Sequence, residues 1–151
     1  MFKHTERYFI WFFSASVAVV ALYLMSACAA RPPAPFQLAN TRWTLTSMTW
    51  NGAPLPLAAQ VPTLEFQADK LSGNAGCNSY GGNYKTLGEI IQVEQLQMTL
   101  MACADANIMA QESAYLQALS SAKLYEARED TLKITYGDGN GLLTFQRALE
   151  Q

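Results

Sequence analysis

Between Tyr8 and Met25 the chain carries no charge, and that run decides how much of the sequence is left to build a fold. "YFIWFFSASVAVVALYLM" follows a basic start at Lys3, His4 and Arg7, the layout of a secretory signal with a positive n-region and an apolar h-region. A run of roughly 18 apolar residues is also long enough to cross a bilayer as an uncleaved helical anchor. Behind it, "AARPPAPF" (Ala29–Phe36) concentrates proline, a composition that favours extended polyproline II and acts as a semi-rigid spacer. The folded part is therefore expected over 38–151, a length suited to one hydrophobic core.

Small Ser26 and Ala27 directly before Cys28 favour the cleaved signal over the anchor. They resemble a bacterial lipobox, where signal peptidase cuts before a cysteine whose thiol has been lipidated. Met25 stands where leucine is usual. The expected plan is a signal helix over 1–27, a lipid-bearing Cys28 opening a proline-rich tether over 28–37, then one domain. By resemblance to enterobacterial lipoproteins, Ala29 in place of aspartate points to the outer membrane, facing the periplasm.

Charge and histidine content exclude several classes. Removing Lys3, Arg7 and Glu6 from the ten basic and twelve acidic residues leaves eight and eleven, a net formal charge of −3. The basic residues are not clustered, so the electrostatic footprint of nucleic-acid binding is missing. His4 is the single histidine and leaves with the signal. A Ser-His-Asp triad, a Cys-His pair or a His-ligated metal is then impossible in the mature chain.

Within the domain, "TRWTLTSM" (Thr41–Met48) is rich in β-branched and aromatic residues and reads as a strand. "WNGAPLPLAAQVP" breaks it through an Asn51-Gly52 turn and three prolines. "TLEFQ" alternates Leu64 and Phe66 with polar neighbours, the period of a half-buried strand. "DKLSG" continues that strand through a turn, and "GNYKTLG", "IIQVEQLQM", "KLYEA", "TLKITY" and "GLLTFQ" read as further strands, the last two joined by "GDGNG". One helix interrupts them: "NIMAQESAYLQALSSA" puts Ile108, Tyr115, Leu116 and Leu119 at helical spacing, with Asp105 or Asn107 as its cap. Many short strands and one helix predict a mainly β fold, a β-barrel or strongly bent antiparallel sheet packing a single helix. Glu112 lies on the apolar stripe. Either its carboxylate snorkels to water, or it is partly buried against an arginine or backbone N–H groups; a structural partner is expected.

"SGNAGCNSYGG" (Ser72–Gly82) is the segment most suggestive of chemistry. Gly76 and Gly81 have P-loop spacing, but Gly82 and Asn83 stand where lysine and a hydroxyl residue are needed. Asp138 and Asn140 of "GDGNG" lack the remaining calcium ligands, so a hairpin tip is expected there. A catalytic Cys77 would have no histidine and only Lys70 and Lys85 as nearby cations in sequence. No metal site and no cofactor is indicated. Cysteine arithmetic gives a simpler answer. With Cys28 lipidated, Cys77 and Cys103 remain as a pair in an oxidising compartment, and a disulfide is expected. The glycines and asparagines then serve a tight turn that presents the sulfur.

"LSGNAGCNSYGGNY", "LQMTLMAC" and "ESAYLQAL" together resemble the META domain family, which includes HslJ-like heat-inducible lipoproteins of bacteria. Gly73, Gly76, Cys77, Asn78, Tyr80, Gly82 and Tyr84 fit its first block, G-x-x-G-C-N-x-[FY]-x-G-x-[FY]. Thr99, Met101, Ala102 and Cys103 fit T-x-M-A-C; Glu112, Tyr115, Leu116, Ala118 and Leu119 fit E-x-x-[FY]-L-x-A-L. An early W-x-L (Trp43, Leu45) and a late L-x-F (Leu143, Phe145) complete it. The resemblance covers essentially the whole domain and implies a compact β-rich fold around one helix. It also implies an envelope-facing protein associated with heat or drug stress, with no transferable catalytic chemistry.

The leading functional expectation is a non-enzymatic envelope lipoprotein. It would be membrane-bound through Cys28 and support envelope integrity or stress tolerance through contacts with an envelope protein. The alternative is a binding module in which Trp43, Trp50, Tyr80 and Tyr84 line a cavity for a lipid or small apolar ligand. An apolar cavity would favour the second, and a filled core the first. An enzyme ranks last.

Overall fold

In the computed structural model, which describes residues 36–148, strand after strand alternates buried and exposed side chains. That alternation leaves one apolar face per strand, and the sheet buries it by curling. The elements are β1 (Thr41–Trp50), β2 (Ala53–Leu55), β3 (Thr63–Phe66), β4 (Lys70–Asn74), β5 (Ser79–Leu87), β6 (Ile90–Met98), α1 (Ala106–Ser120), β7 (Ala122–Ala127), β8 (Thr131–Tyr136) and β9 (Gly141–Arg147). All neighbours pair antiparallel in the order β1-β3-β4-β5-β6-β7-β8-β9, and β9 pairs back onto β1. The result is a closed eight-stranded barrel. The signal, Cys28 and all of the tether up to Pro35 lie outside the described residues.

Trp43, Leu45 and Met48 of β1 face inward together with Leu64, Phe66, Leu132, Ile134, Leu143 and Phe145. At about 25 cal/mol per Å² of apolar surface removed from water, such side chains supply most of the driving force for closure. Phe36, placed in the tether by sequence, packs edge-on against Trp43 at 6.2 Å between ring centroids. The guanidinium of Arg147 lies over both rings, 5.9 Å from Phe36 and 5.8 Å from Trp43. Packing against the core thus extends at least to Phe36, two residues before Leu38.

One segment differs from its sequence reading. Ala53–Leu55, assigned to a proline-broken connection, forms a short strand through the pairs Met48↔Leu55, Thr49↔Pro54 and Trp50↔Ala53. It is a terminal hairpin arm outside the closed ring, where a proline costs no barrel hydrogen bond. Within β6 the pairs Gly81↔Gln97 and Asn83↔Glu94 leave two residues opposite one. Gln95 takes the extra place at φ 55°, and its side-chain oxygen accepts from Asn83 Nδ2 at 2.9 Å.

The barrel has two different ends. The chain enters at one, beside Trp43. At the other, α1 closes the opening, carried there by the link from Met98 and returning the chain to β7. Asp105 caps α1, its carboxylate accepting from Asn107 N at 2.8 Å. The described ladder between β6 and β7, the strands flanking α1 in sequence, is a single pair, Ile90↔Leu124.

Candidate functional site

Among the described residues, buried polar side chains cluster at one place where the fold spends desolvation on something other than a core. Thr41, Asn78, Gln111 and Glu112 are the buried polar or charged residues described, and the last three converge where α1 meets the β4–β5 hairpin. The hairpin tip is shaped by two glycines. Gly76 sits at φ +123° with its Cα facing Ile108 and Gln111, where a side chain would be strained and crowded. A Cβ on Gly73 would lie 2.0 Å from the Thr63 carbonyl oxygen, so only glycine lets β3 and β4 approach this closely.

That tip aims three donors at one carboxylate. Glu112 Oε2 accepts from Cys77 N at 3.2 Å and Asn78 N at 2.6 Å, and Oε1 accepts from Asn78 Nδ2 at 2.8 Å. Glu112 is 3 % exposed, and among the described residues it forms no ion pair. Of the partners considered from sequence, backbone N–H groups are the ones present. Asn78 carries the network onward. Its Oδ1 accepts from Met101 N at 2.7 Å and Thr99 Oγ1 at 2.8 Å, and its Nδ2 also donates to Met101 O at 3.2 Å. Ser79 N donates to Thr99 Oγ1 at 3.2 Å. Cys77 and Cys103 are joined by a disulfide with Cα atoms 6.2 Å apart. The three sequence blocks therefore meet in one clamp that holds the 99–103 loop against hairpin and helix.

The side chains this clamp presents are apolar and uncovered. Leu100 is 91 % and Met101 60 % exposed, flanked by partly exposed Met98 at the end of β6 and Met109 on α1. Gln111, which sequence reasoning passed over, ties the other side. Its Nε2 donates to Gln60 O at 2.8 Å and its Oε1 accepts from Ala58 N at 2.7 Å, fixing the connection that precedes β3. A glutamine on a helix's buried face, next to a motif glutamate, was the available signal. Gly82 faces the β6 bulge rather than the clamp, its Cα close to Glu94 O and Leu96.

Beneath the clamp Tyr80, Tyr115 and Phe145 stack edge to face. Tyr80 Oη donates its one proton to Thr63 O at 2.8 Å, so in the 2.7 Å contact between the two phenols Tyr115 is the donor. Burial pushes the Tyr80 hydroxyl well above its ordinary value, and the Tyr115 phenol beside it adds to the rise. Burial likewise pushes Tyr115 far up, against a smaller opposing effect of its hydrogen bond with Tyr80. Both folded values exceed the unfolded one of about 10, so the stability held in the neutral pair is complete below that pH and is lost above it. In an alkaline titration, phenolate absorbance from these two residues is expected only together with loss of the fold. Ionisation of both near pH 10 in an intact domain would contradict the buried pair.

Trp43, Tyr80 and Tyr84 are buried in the core and Trp50 is half-buried, and Trp43, Phe66, Tyr115 and Phe145 are the largest fully buried aromatic side chains of one core cluster. Surface clefts lie outside it. One of about 370 Å³ is lined by Arg42, Glu65 and Arg147; another of about 720 Å³ opens between β6 and β7 beside Ile90 and Leu124. Among the described residues every buried side-chain nitrogen or oxygen has a hydrogen-bond partner, and no group of three His, Cys, Asp or Glu could hold a metal ion.

A family model described as META domain matches residues 36–149. Among solved structures, an NMR structure of a protein from Burkholderia xenovorans is 26 % identical, with a TM-score of 0.63, 80 % of this chain covered and 94 % of that one. A crystal structure of a DUF4847 family protein from Bacteroides vulgatus is 13 % identical with a TM-score of 0.54, covering 76 % of this chain and 96 % of that one, a likeness of fold alone. No curated protein matches the sequence.

Proposed function

The chain belongs to the META domain family, and from that premise we propose a non-enzymatic lipoprotein of the bacterial envelope. Cys28 holds it to the outer membrane, and its domain supports envelope integrity under heat or drug stress through protein contacts. One observation carries the contact reading: a loop fixed by a buried carboxylate, a buried amide and a disulfide exposes Leu100 and Met101. Preorganised apolar side chains lose little entropy on docking, and methionine adapts to irregular apolar partners. Burial of Trp43, Phe66, Tyr115 and Phe145 in one core cluster supports this reading over a carrier of a lipid or small apolar ligand, which needs interior space. Cys77 has its sulfur in a disulfide and the buried polar groups satisfy one another, which favours a non-enzymatic role.

A photo-reactive p-benzoylphenylalanine at Leu100 tests this in cells producing the full chain. Irradiation is expected to give a discrete adduct with an envelope protein, absent when the probe replaces exposed Lys133 at the far end. Asn78→Ala, which frees the loop, should abolish it. The same adduct from both positions, or none from Leu100, would overturn the contact reading.

A further inference from the structure

A second apolar patch runs from the β5–β6 turn, at the far end of β5 from the clamp, across the seam to β7. Leu87 is 78 % exposed, Ile90 52 % and Leu124 47 %. They form one continuous row, because Leu87 pairs with Ile90 across the β5–β6 turn and Ile90 pairs with Leu124 across the seam. Directly paired residues share a face, and Ile91 and Tyr125, the next residues along, point into the core. The row borders the 720 Å³ cleft, which Ile90 and Leu124 help to line.

Its position relative to the chain's entry identifies what covers it. Tyr125 Oη donates to Phe36 O at 3.3 Å, while Tyr125 N donates to Glu89 O, in the turn between Leu87 and Ile90, at 2.8 Å. The tether therefore joins the domain at the end that carries the patch. From Cys28 to Phe36 is eight residues, and even fully extended they reach at most about 28 Å. β5 runs the length of the barrel, from Ser79 near the clamp to Leu87 at the patch, a rise of about 26 Å. A lipid on Cys28 therefore attaches the bilayer at the end where the tether joins, beside Leu87 and Ile90, and with that end docked the Leu100 loop stands a strand's length away. Glu89, the one charge of the turn, is exposed and can stay in headgroup water.

We propose that Leu87, Ile90 and Leu124 dock the barrel on the lipid surface to which Cys28 tethers it, inserting at the headgroup–acyl boundary. Docking turns the clamped loop away from the membrane, toward proteins of the periplasm. The inference rests on the lipid-anchor reading and deepens it, adding an orientation to an attachment.

The test uses the full chain, purified from membranes with any lipid it carries and reconstituted in phosphatidylethanolamine–phosphatidylglycerol vesicles. Single p-benzoylphenylalanine probes replace Leu87, Leu124 or Leu100, and intact and peptide masses are read after irradiation. Phospholipid adducts are expected at positions 87 and 124 and not at 100, on chains that begin at Cys28 with a diacylglycerol mass. Adducts at 100 alone, or at none of the three on lipidated chains, would overturn the docking and leave the anchor standing. Absence of the lipid mass on Cys28 would overturn anchor and docking together.

Discussion

Glu112→Ala is expected to cost the domain roughly 2 to 6 kcal/mol, about 1 to 3 for each of two buried backbone donors left without an acceptor. The carboxylate is the shared acceptor for Cys77 N, Asn78 N and Asn78 Nδ2, and alanine leaves the two backbone donors buried without a partner. Glu112→Gln separates charge from geometry. The glutamine oxygen can replace Oε2 in front of the two backbone N–H groups, but its NH₂ must then face Asn78 Nδ2. Asn78 cannot flip to relieve the clash, because its Oδ1 is already accepting from Met101 N and Thr99 Oγ1. Glutamine should therefore be intermediate, costing about 1 to 3 kcal/mol. Denaturant unfolding of the three proteins measures both differences; a Glu112→Ala loss below about 1 kcal/mol would show that water replaces the carboxylate without penalty.

The paired substitution Cys77→Ala/Cys103→Ala is expected to lose about 3.5 kcal/mol, the chain-entropy value for a 26-residue separation. Against a total of about 5 to 15 kcal/mol for a domain of this size, that is a large share. The m-value should change as well, since the unlinked unfolded chain is less restricted. Protein extracted from membranes and alkylated without reductant should take no alkyl group at either position. Two added alkyl groups would mean free thiols in the native protein, and Cys77 would again be a candidate for chemistry.

What could be read from sequence was whatever depends on near neighbours. Leu64 and Phe66 alternate, Asp105 caps, "GDGNG" turns, and each does so for a local reason. Glu112 was legible as a problem: a carboxylate on the stripe of Ile108, Tyr115 and Leu119 needs a partner. The identity of that partner was not, because Cys77 and Asn78 lie more than thirty residues away in the chain, separations of 35 and 34. Barrel closure was equally hidden. Nothing in "TRWTLTSM" or "GLLTFQ" states that they pair with each other, since Leu45↔Phe145 is a choice made by the whole sheet. Ala53–Leu55 was missed because Pro54 and its proline-rich surroundings argue against a strand in general, and only its place outside the closed ring makes Pro54 harmless. Leu100 carried no signal in sequence, and Met101 stood out only as a position of the T-x-M-A-C block. Their exposure follows from the clamp, which takes hold of the loop by its backbone and leaves the side chains outside.

Amide hydrogen exchange at Cys77, Asn78 and Met101 in the wild-type protein tests the clamp most directly. The donors of Cys77 and Asn78 end on Glu112, and that of Met101 ends on Asn78. All three should exchange as slowly as the core strands, with opening free energies near that of global unfolding. Met101 should become fast in Asn78→Ala while the strands stay protected. A Met101 amide that already exchanges in the wild type like an unstructured peptide would contradict the account, because the loop would not be held and Leu100 would be no preformed docking tip.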